Sequence, residues 1–298
     1  MLTQTVESYL SVRRACGFDL KVPGSLLRSF AAFSEAKDKE HVCSQTAIEW
    51  AALARSLRQR ARRLNYVILF ARYIRAEDQR HEVPPAVFGS EQRRRPAPCI
   101  LSPDDIVRLV HAAAQSSHPF RRRTYRTLFA LLACTGLRVS EAIRLRLEDL
   151  TPEGMLIRRS KFRKSRLVPL HHTARAGLDR YLEHRLPYAP LDDHVFVSLR
   201  GTPLLAESVE RTFRITAERI GLRKKRRPTP HSLRHSFAVK ALEASPDGRD
   251  RIAEHMLALS TYLGHSKVSH TYWYLEATPE LMEGIAARCE SFVAVGRP

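Results

Sequence analysis

The stretch from Val83 to Pro98 decides how this chain divides. Pro84, Pro85, Pro96 and Pro98 lack the backbone N–H that helices and sheet ladders use, and Gly89 loosens the segment further. Within it Arg93, Arg94 and Arg95 stand side by side, like charges that repel one another and settle best along a phosphate backbone. Regular structure is therefore expected on either side of this stretch but not across it. With 298 residues, 44% of them hydrophobic, the chain has material for two cores. The expected division is an N-terminal domain at 1–90, a basic proline-rich linker at 91–99 and a larger domain at 100–298.

Charge points to a polyanionic partner. Lys and Arg total 50 against 31 Asp and Glu, a formal net charge of +19, and only nine of the 50 are lysine. Residues 1–98 hold 17 basic and 10 acidic side chains, and residues 99–298 hold 33 and 21, so both parts can face the same polymer. Clustered Lys and Arg displace counterions from phosphates, which makes nucleic acid the first candidate; a GC-rich genome is the other source of an arginine excess. The composition excludes a disordered or collagen-like chain. The longest apolar run, Leu128 to Cys134, is far below the roughly 18 residues of a membrane span, and no charged segment followed by an apolar one opens the chain. Cys16, Cys43, Cys99, Cys134 and Cys289 are scattered without a CxxC pair, which suggests neither a disulfide framework nor a zinc ribbon. A soluble, cytoplasmic protein without membrane contact is expected.

The first part reads as helical. Val67, Phe70, Ala71 and Ile74 follow the i, i+3, i+4, i+7 spacing of a buried face, and Ser44 or Thr46 suits the cap of the preceding helix. Arg58, Arg60, Arg62 and Arg63 precede that stripe, either as a phosphate-contacting patch or as a solvated helix face. In the second part Ser102-Pro103-Asp104-Asp105 is a helix start: a capping serine, proline at the first helical position and acids in the first turn. An apolar helix over about Tyr125 to Cys134 stops at Thr135-Gly136, and another begins near Arg138 to Ser140. Met155-Leu156-Ile157 and Leu167-Val168-Pro169-Leu170 read as two short strands around a polar turn that holds Lys161, Arg163 and Lys164. From about Glu207 the pattern is mainly helical, broken by the basic segment Arg223 to Arg227 and by Pro228 and Pro230. The expected fold class is mainly α with a small β-sheet (α+β).

Four separated segments carry reactive side chains: Thr135-Gly136-Leu137-Arg138-Val139-Ser140-Glu141, then Lys161, then His231-Ser232-Leu233-Arg234-His235, then Leu263-Gly264-His265 with Tyr274 nine residues on. In this order they resemble the tyrosine recombinases, the phage integrase family with its Xer, Cre and lambda-integrase types. The resemblance spans the whole chain in architecture and about residues 101–280 in detail. It implies a helical SAM-like core-binding domain ahead of a mixed α/β catalytic domain, with double-stranded DNA recombination sites as substrate. It further implies a 3′-phosphotyrosyl intermediate, exchange through a Holliday junction, and no cofactor.

By this resemblance Arg138 and Arg234 clamp the scissile phosphate, work that suits a guanidinium, which stays charged and grips two oxygens at once. Tyr274 is the nucleophile by its spacing from His265. Tyr272 lies two residues earlier and would point about 200° away on a helix, so only one of the two enters the site. Lys161 is the general acid for the leaving 5′-oxygen, since lysine yields a proton that arginine keeps. Ser160 and Phe162 replace the family's flanking glycines there, and Lys164 aligns with a position that contacts the DNA backbone. His231 resembles the histidine that moves the tyrosine's proton or holds phosphate; His265 resembles the second, a donor to the phosphate. Glu141, one turn after Arg138, matches an acidic position that supports the cations, against the plainer reading of a surface charge. His231 and His235 form an i, i+4 pair of the kind that grips zinc, yet Ser232 stands where a metalloprotease has glutamate. His235 is therefore read as structural or supporting, and no metal is expected. The candidate DNA contacts are Arg58, Arg62, Arg63, Arg93, Arg94, Arg95, Lys164, Lys224 and Lys225.

After Tyr274, Ala277-Thr278-Pro279-Glu280 reads as a cap and helix start, with Leu281, Ile285 and Phe292 as apolar contacts. By resemblance such a tail docks on a neighbouring protomer of a DNA-bound tetramer; the alternative is a helix folded onto its own domain. The expected role is integrase or transposase of a mobile element, nucleoid-associated in a bacterium, working as a homotetramer or with sister recombinases. A Xer-like resolvase of chromosome or plasmid dimers is the alternative. A type IB topoisomerase and a catalytically silent DNA-binding relative complete the set.

Overall fold

The computed structural model describes residues 1–89, 97–158, 165–189, 191–222, 227–244, 249–265 and 269–276. Arg93, Arg94, Arg95, Lys161, Lys164, Lys224, Lys225 and the tail after residue 276 lie outside the described residues. The chain divides into two compact units, Met1–Pro96 and Ala97–Pro298.

The first unit consists, among its described residues, of α1 (Leu2–Ala15), α2 (Lys21–Glu35), α3 (Ser44–Ala52) and α4 (Leu57–Ile74). Val67, Phe70, Ala71 and Ile74 of α4 are buried together with Leu2, Val6 and Leu10 of α1, Leu27 and Phe30 of α2, and Trp50 of α3, as the helical spacing requires. Ser56 caps α4 by accepting from the Gln59 N–H at 3.3 Å. The start of α3 differs from expectation: Ser44 is its first residue, Cys43 precedes it, and neither Ser44 nor Thr46 caps it. The Ser44 N–H, one of the free donors of the first turn, donates to the carboxylate of Glu82, 38 residues away, at 2.7 Å. On α4, Arg58 and Arg62 are exposed, whereas Arg63 lies 5.2 Å over the Trp50 ring and donates to the Trp50 carbonyl.

The second unit opens with α5 (Pro103–Ala113), where Ser102 accepts from the Asp105 N–H at 3.1 Å and the Asp105 carboxylate accepts from the Ser102 N–H at 3.3 Å. Next come α6 (Pro119–Thr135) and the single turn α7 (Val139–Ala142). A three-stranded antiparallel sheet follows in the order β1 (Leu150–Thr151), β2 (Gly154–Ile157), β3 (Arg166–Val168), with Met155 opposite Val168 and Ile157 opposite Arg166. The third strand stops at Pro169, which has no N–H to offer the ladder. The remaining helices are α8 (His172–Tyr188), α9 (Ala206–Arg219), α10 (Pro230–Glu243), α11 (Arg249–Leu263) and α12 (Ser269–Glu276).

Leu128, Phe129 and Leu132 of α6 share the larger core with Met155, Ile157 and Val168 of the sheet, Phe213 of α9 and Leu233 of α10. A second core joins Ala238, Val239 and Leu242 of α10 to Met256, Leu259 and Leu263 of α11 and to Tyr274 of α12. Arg185 is fully buried in α8, and its guanidinium donates to the carbonyls of Ala189, Asp192 and His194 at 2.6–2.9 Å, fixing the loop that leaves the helix. Among the described residues no helix is long and apolar enough to cross a membrane.

Candidate active site

A helix ends with carbonyls that have no intrahelical partner, at the negative end of its dipole. At the C-terminal end of α11 three arginines from three different segments take up those acceptors. Arg166 of β3 donates through Nε to the Tyr262 carbonyl at 2.7 Å. Arg234 of α10 donates through Nη2 to the Leu263 carbonyl at 2.5 Å, and Arg138, just before α7, reaches the same oxygen at 3.4 Å and the Gly264 carbonyl at 3.1 Å. Arg234 also donates to the Gly136 carbonyl at 2.7 Å. Arg234 is buried, while Arg138 keeps about a quarter of its side chain open to solvent.

Glu141 binds two of these cations together. Its carboxylate accepts from Arg166 at 2.9 and 3.1 Å, from the Arg138 guanidinium at 2.8 Å and from the Arg138 backbone N–H at 3.0 Å. Burial pushes this carboxyl up, but the hydrogen bonds and charges of Arg166 and Arg138 outweigh it and hold the group down to about 2, so it is ionised at neutral pH. Burial, and then the Arg138 charge, push Arg234 down to about 10, still well above neutrality. Three guanidiniums against one carboxylate leave a surplus of positive charge suited to a phosphodiester and to the further charge that builds on its oxygens during attack.

Two glycines make this arrangement possible. Gly136 ends α6 at φ +60°, and a Cβ there would lie 2.5 Å from Phe237 Cδ1; the turn sends the Gly136 carbonyl to Arg234 and brings Arg138 to the start of α7. Gly264 ends α11 at φ +64°, and a Cβ there would lie 2.8 Å from Arg166 Nη1.

On α12 the two tyrosines separate as helix geometry requires: Tyr274 is 2% exposed and Tyr272 is 51% exposed. The Tyr274 hydroxyl lies 3.1 Å from His235 Nδ1, and its ring runs nearly parallel to the His265 imidazole, with centroids 6.3 Å apart. His265 is itself held by a 2.8 Å contact between Nδ1 and Thr271 Oγ1. His231 sits exposed in the first turn of α10, its ring edge-on to His235 with centroids 4.4 Å apart. Charge on the Tyr274 oxygen would favour the protonated form of Arg234, which places the phenol within electrostatic reach of the arginine cluster.

The structure thus brings Arg138, Glu141, Arg234, His265 and Tyr274 together, with His231 reached through His235, while Lys161 lies outside the described residues. Sequence reasoning overlooked Arg166, whose carboxylate partner lies 25 residues away on a different element; a charged residue opening an otherwise apolar strand was the available sign. It also kept His235 in the background. Among the described residues, Asp192, Asp193 and His194 have metal-ligand spacing, but Asp192 pairs with Arg185 and Asp193 with Arg146, so arginine already matches their charge.

The model of the Phage integrase family matches residues 100–280. A putative integrase/recombinase, y4rB of Sinorhizobium fredii, is 36% identical over 302 residues, covering 96% of both chains. The tyrosine recombinase XerD of Caulobacter vibrioides is 30% identical over 231 residues, covering 74% of this chain and 71% of that one. Among solved structures, the Tn1549 transposon integrase in complex with a circular intermediate DNA superposes with a TM-score of 0.69 at 17% identity, over 97% of this chain and 99% of that one.

Proposed function

The chain belongs to the phage integrase family, the tyrosine recombinases, enzymes that break and rejoin DNA, and from that premise we propose that Tyr274 attacks a phosphodiester held by Arg138, Arg234 and His265. The convergence of these four residues around the end of α11 is the observation that carries the reading. Attack joins the tyrosine oxygen to phosphorus as a 3′-phosphotyrosyl and releases the 5′-oxygen, which Lys161 protonates. The phosphotyrosyl keeps the bond energy for rejoining, so no nucleotide cofactor is called for. Glu141 and Arg166 keep Arg138 in place without touching the DNA. His231, exposed at the start of α10, takes part in proton traffic or holds the phosphate.

The substrate in this reading is double-stranded DNA carrying paired recombination sites, with strands exchanged two at a time through a Holliday junction in a tetramer. Arg58, Arg62 and the basic segments around 93–95 and 223–227 run along its backbone, and the tail after residue 276 docks on a neighbouring protomer. Service to a mobile element is the first reading, because y4rB, a putative integrase/recombinase, matches at 36% identity; the XerD relatives match at 29–31%, over as much as 91% of this chain, and their type is the second reading.

The test is covalent trapping on a nicked suicide duplex, using the sequence that the full-length protein selects from a randomised library. Wild type and Tyr272→Phe should give a denaturation-resistant adduct, and Tyr274→Phe should give none. An adduct that survives Tyr274→Phe, or none from wild type despite tight binding, would overturn the assignment.

A further inference from the structure

The group that contacts the attacking hydroxyl is one to which the motif resemblance gives no chemical part. We propose that His235 is a catalytic residue: its Nδ1 holds the Tyr274 hydroxyl and takes the phenolic proton as the tyrosine attacks. This rests on Tyr274 being the nucleophile.

The geometry is direct. Nδ1 and the hydroxyl oxygen are 3.1 Å apart, within the range over which a proton passes along a hydrogen bond. Both side chains are buried, so the contact is sheltered from water and its geometry is set by packing. The Tyr274 ring is fixed on one side by Trp273, whose indole also lies edge-on to His235 at 5.3 Å, and on another by the nearly parallel His265. His235 in turn is held by α10, the helix whose preceding residue, Arg234, anchors the end of α11. The residue that contacts the hydroxyl and the arginine that awaits the phosphate are therefore consecutive on one helix. Among the described residues, the titratable groups facing His235 include His231 on its own helix and Tyr274 on α12, with His265 and Arg234 beyond the tyrosine.

The step balances as follows. The step requires His235 in its neutral form, with the proton on Nε2 and the Nδ1 lone pair facing the phenol. As the Tyr274 oxygen bonds to phosphorus, its O–H bond breaks and the proton moves to Nδ1, giving an imidazolium. The P–O bond to the 5′-oxygen breaks, and that oxygen takes a proton from the acid already assigned. In rejoining, the 5′-hydroxyl attacks, the phosphotyrosyl bond breaks, and the imidazolium returns its proton to the departing phenolate. His231, edge-on to His235 and open at the helix start, is the neighbour through which the imidazolium exchanges with the exterior.

His235→Gln keeps a hydrogen-bond acceptor but no base, and His231→Gln is made beside it to tell which of the two histidines carries the acid limb. On the selected nicked duplex, His235→Gln should lower the adduct rate by about 10²–10⁴-fold with DNA affinity unchanged, and should erase the fall in rate that wild type shows as an imidazole protonates in acid. A 5′-phosphorothiolate at the cleavage position, whose thiolate leaves without an acid, should rescue Lys161→Ala but not His235→Gln. Because the variant sits in a core, a second measurement uses the wild-type fold. With ring-¹⁵N histidine, Tyr274→Phe should shift one Nδ1 resonance, and His235→Gln should remove that resonance. A His235→Gln rate and acid limb like those of wild type, loss of the limb only in His231→Gln, or no Nδ1 shift on Tyr274→Phe would each overturn the proposal. Failure of wild type to form any adduct would instead strike the nucleophile assignment, and the nitrogen spectrum would still decide whether the Tyr274–His235 bond exists.

Discussion

Glu141 and Arg166 form a two-point ion pair, Nη1 to Oε1 at 3.1 Å and Nη2 to Oε2 at 2.9 Å, with 7% and 9% of the two side chains exposed. Because the same carboxylate also accepts from Arg138, one buried negative charge sets the position of two positive ones. Its folded pKa lies below that of the free carboxyl, so its contribution is present above pH of about 4.5 and is lost as pH falls towards 2. A carboxyl held at about 2 rather than 4.5 contributes roughly 3 kcal/mol at neutral pH. Glu141→Gln should therefore lower the melting temperature at pH 7, leave Arg166 short of a partner, and flatten the loss of stability between pH 4.5 and 2. Thermal melts of both proteins across that range check this; parallel pH curves would mean that the pair does not carry the acid sensitivity.

Gly136→Ala combines a left-handed backbone with a Cβ 2.5 Å from Phe237 Cδ1. The strain of such a residue, of order 1–2 kcal/mol, adds to an overpacking cost of about 1–3 kcal/mol. Since the Gly136 carbonyl holds Arg234, cleavage should fall by more than stability alone explains. Rates measured well below the melting temperature separate the two effects, and a variant that is less stable yet fully active would break the link to Arg234.

Arg185→Met should destabilise the second unit by about 3–5 kcal/mol, because it removes a buried cation and strands the carbonyls of Ala189, Asp192 and His194. Its expected signature is a lower midpoint in urea with cleavage intact at low temperature. Loss of activity in a fully folded variant would place Arg185 in the reaction instead.

Arg58 and Arg62 are exposed on α4, whereas Arg63 is committed to Trp50. The double change Arg58→Ala, Arg62→Ala should reduce the salt dependence of DNA binding by a slope of about 2 in log K against log salt, at about 0.9 for each phosphate that is no longer neutralised. Arg63→Ala should act on stability and leave that slope nearly untouched. Binding isotherms at several salt concentrations distinguish these outcomes.

Much of this fold was legible because local rules agreed with the global arrangement. Ser102-Pro103-Asp104-Asp105 started α5, Thr135-Gly136 stopped α6, and the apolar pairs at 155–157 and 167–168 became facing strands. The residues that escaped are those whose meaning depends on a partner far along the chain. Nothing near Arg166 announces Glu141 or the Tyr262 carbonyl, and nothing near Ser44 announces that Glu82 will take its N–H. His235 was visible as one half of a spaced pair, but its contact with Tyr274 comes from the packing of α12 against α10, which no local periodicity encodes.

The last turn of α11 also sets an order for biosynthesis. Arg138, Glu141, Arg166 and Arg234 all leave the ribosome before Tyr262, Leu263 and Gly264, whose carbonyls hold the three guanidiniums. Until that turn emerges, the partners of these cations among the described residues are the carboxylate and the Gly136 carbonyl, and closing the remaining contacts carries the entropy of loops of roughly 30 to 130 residues. The basic residues of the first unit therefore exist long before the reaction centre does, and that centre is complete only with the final turns of helix.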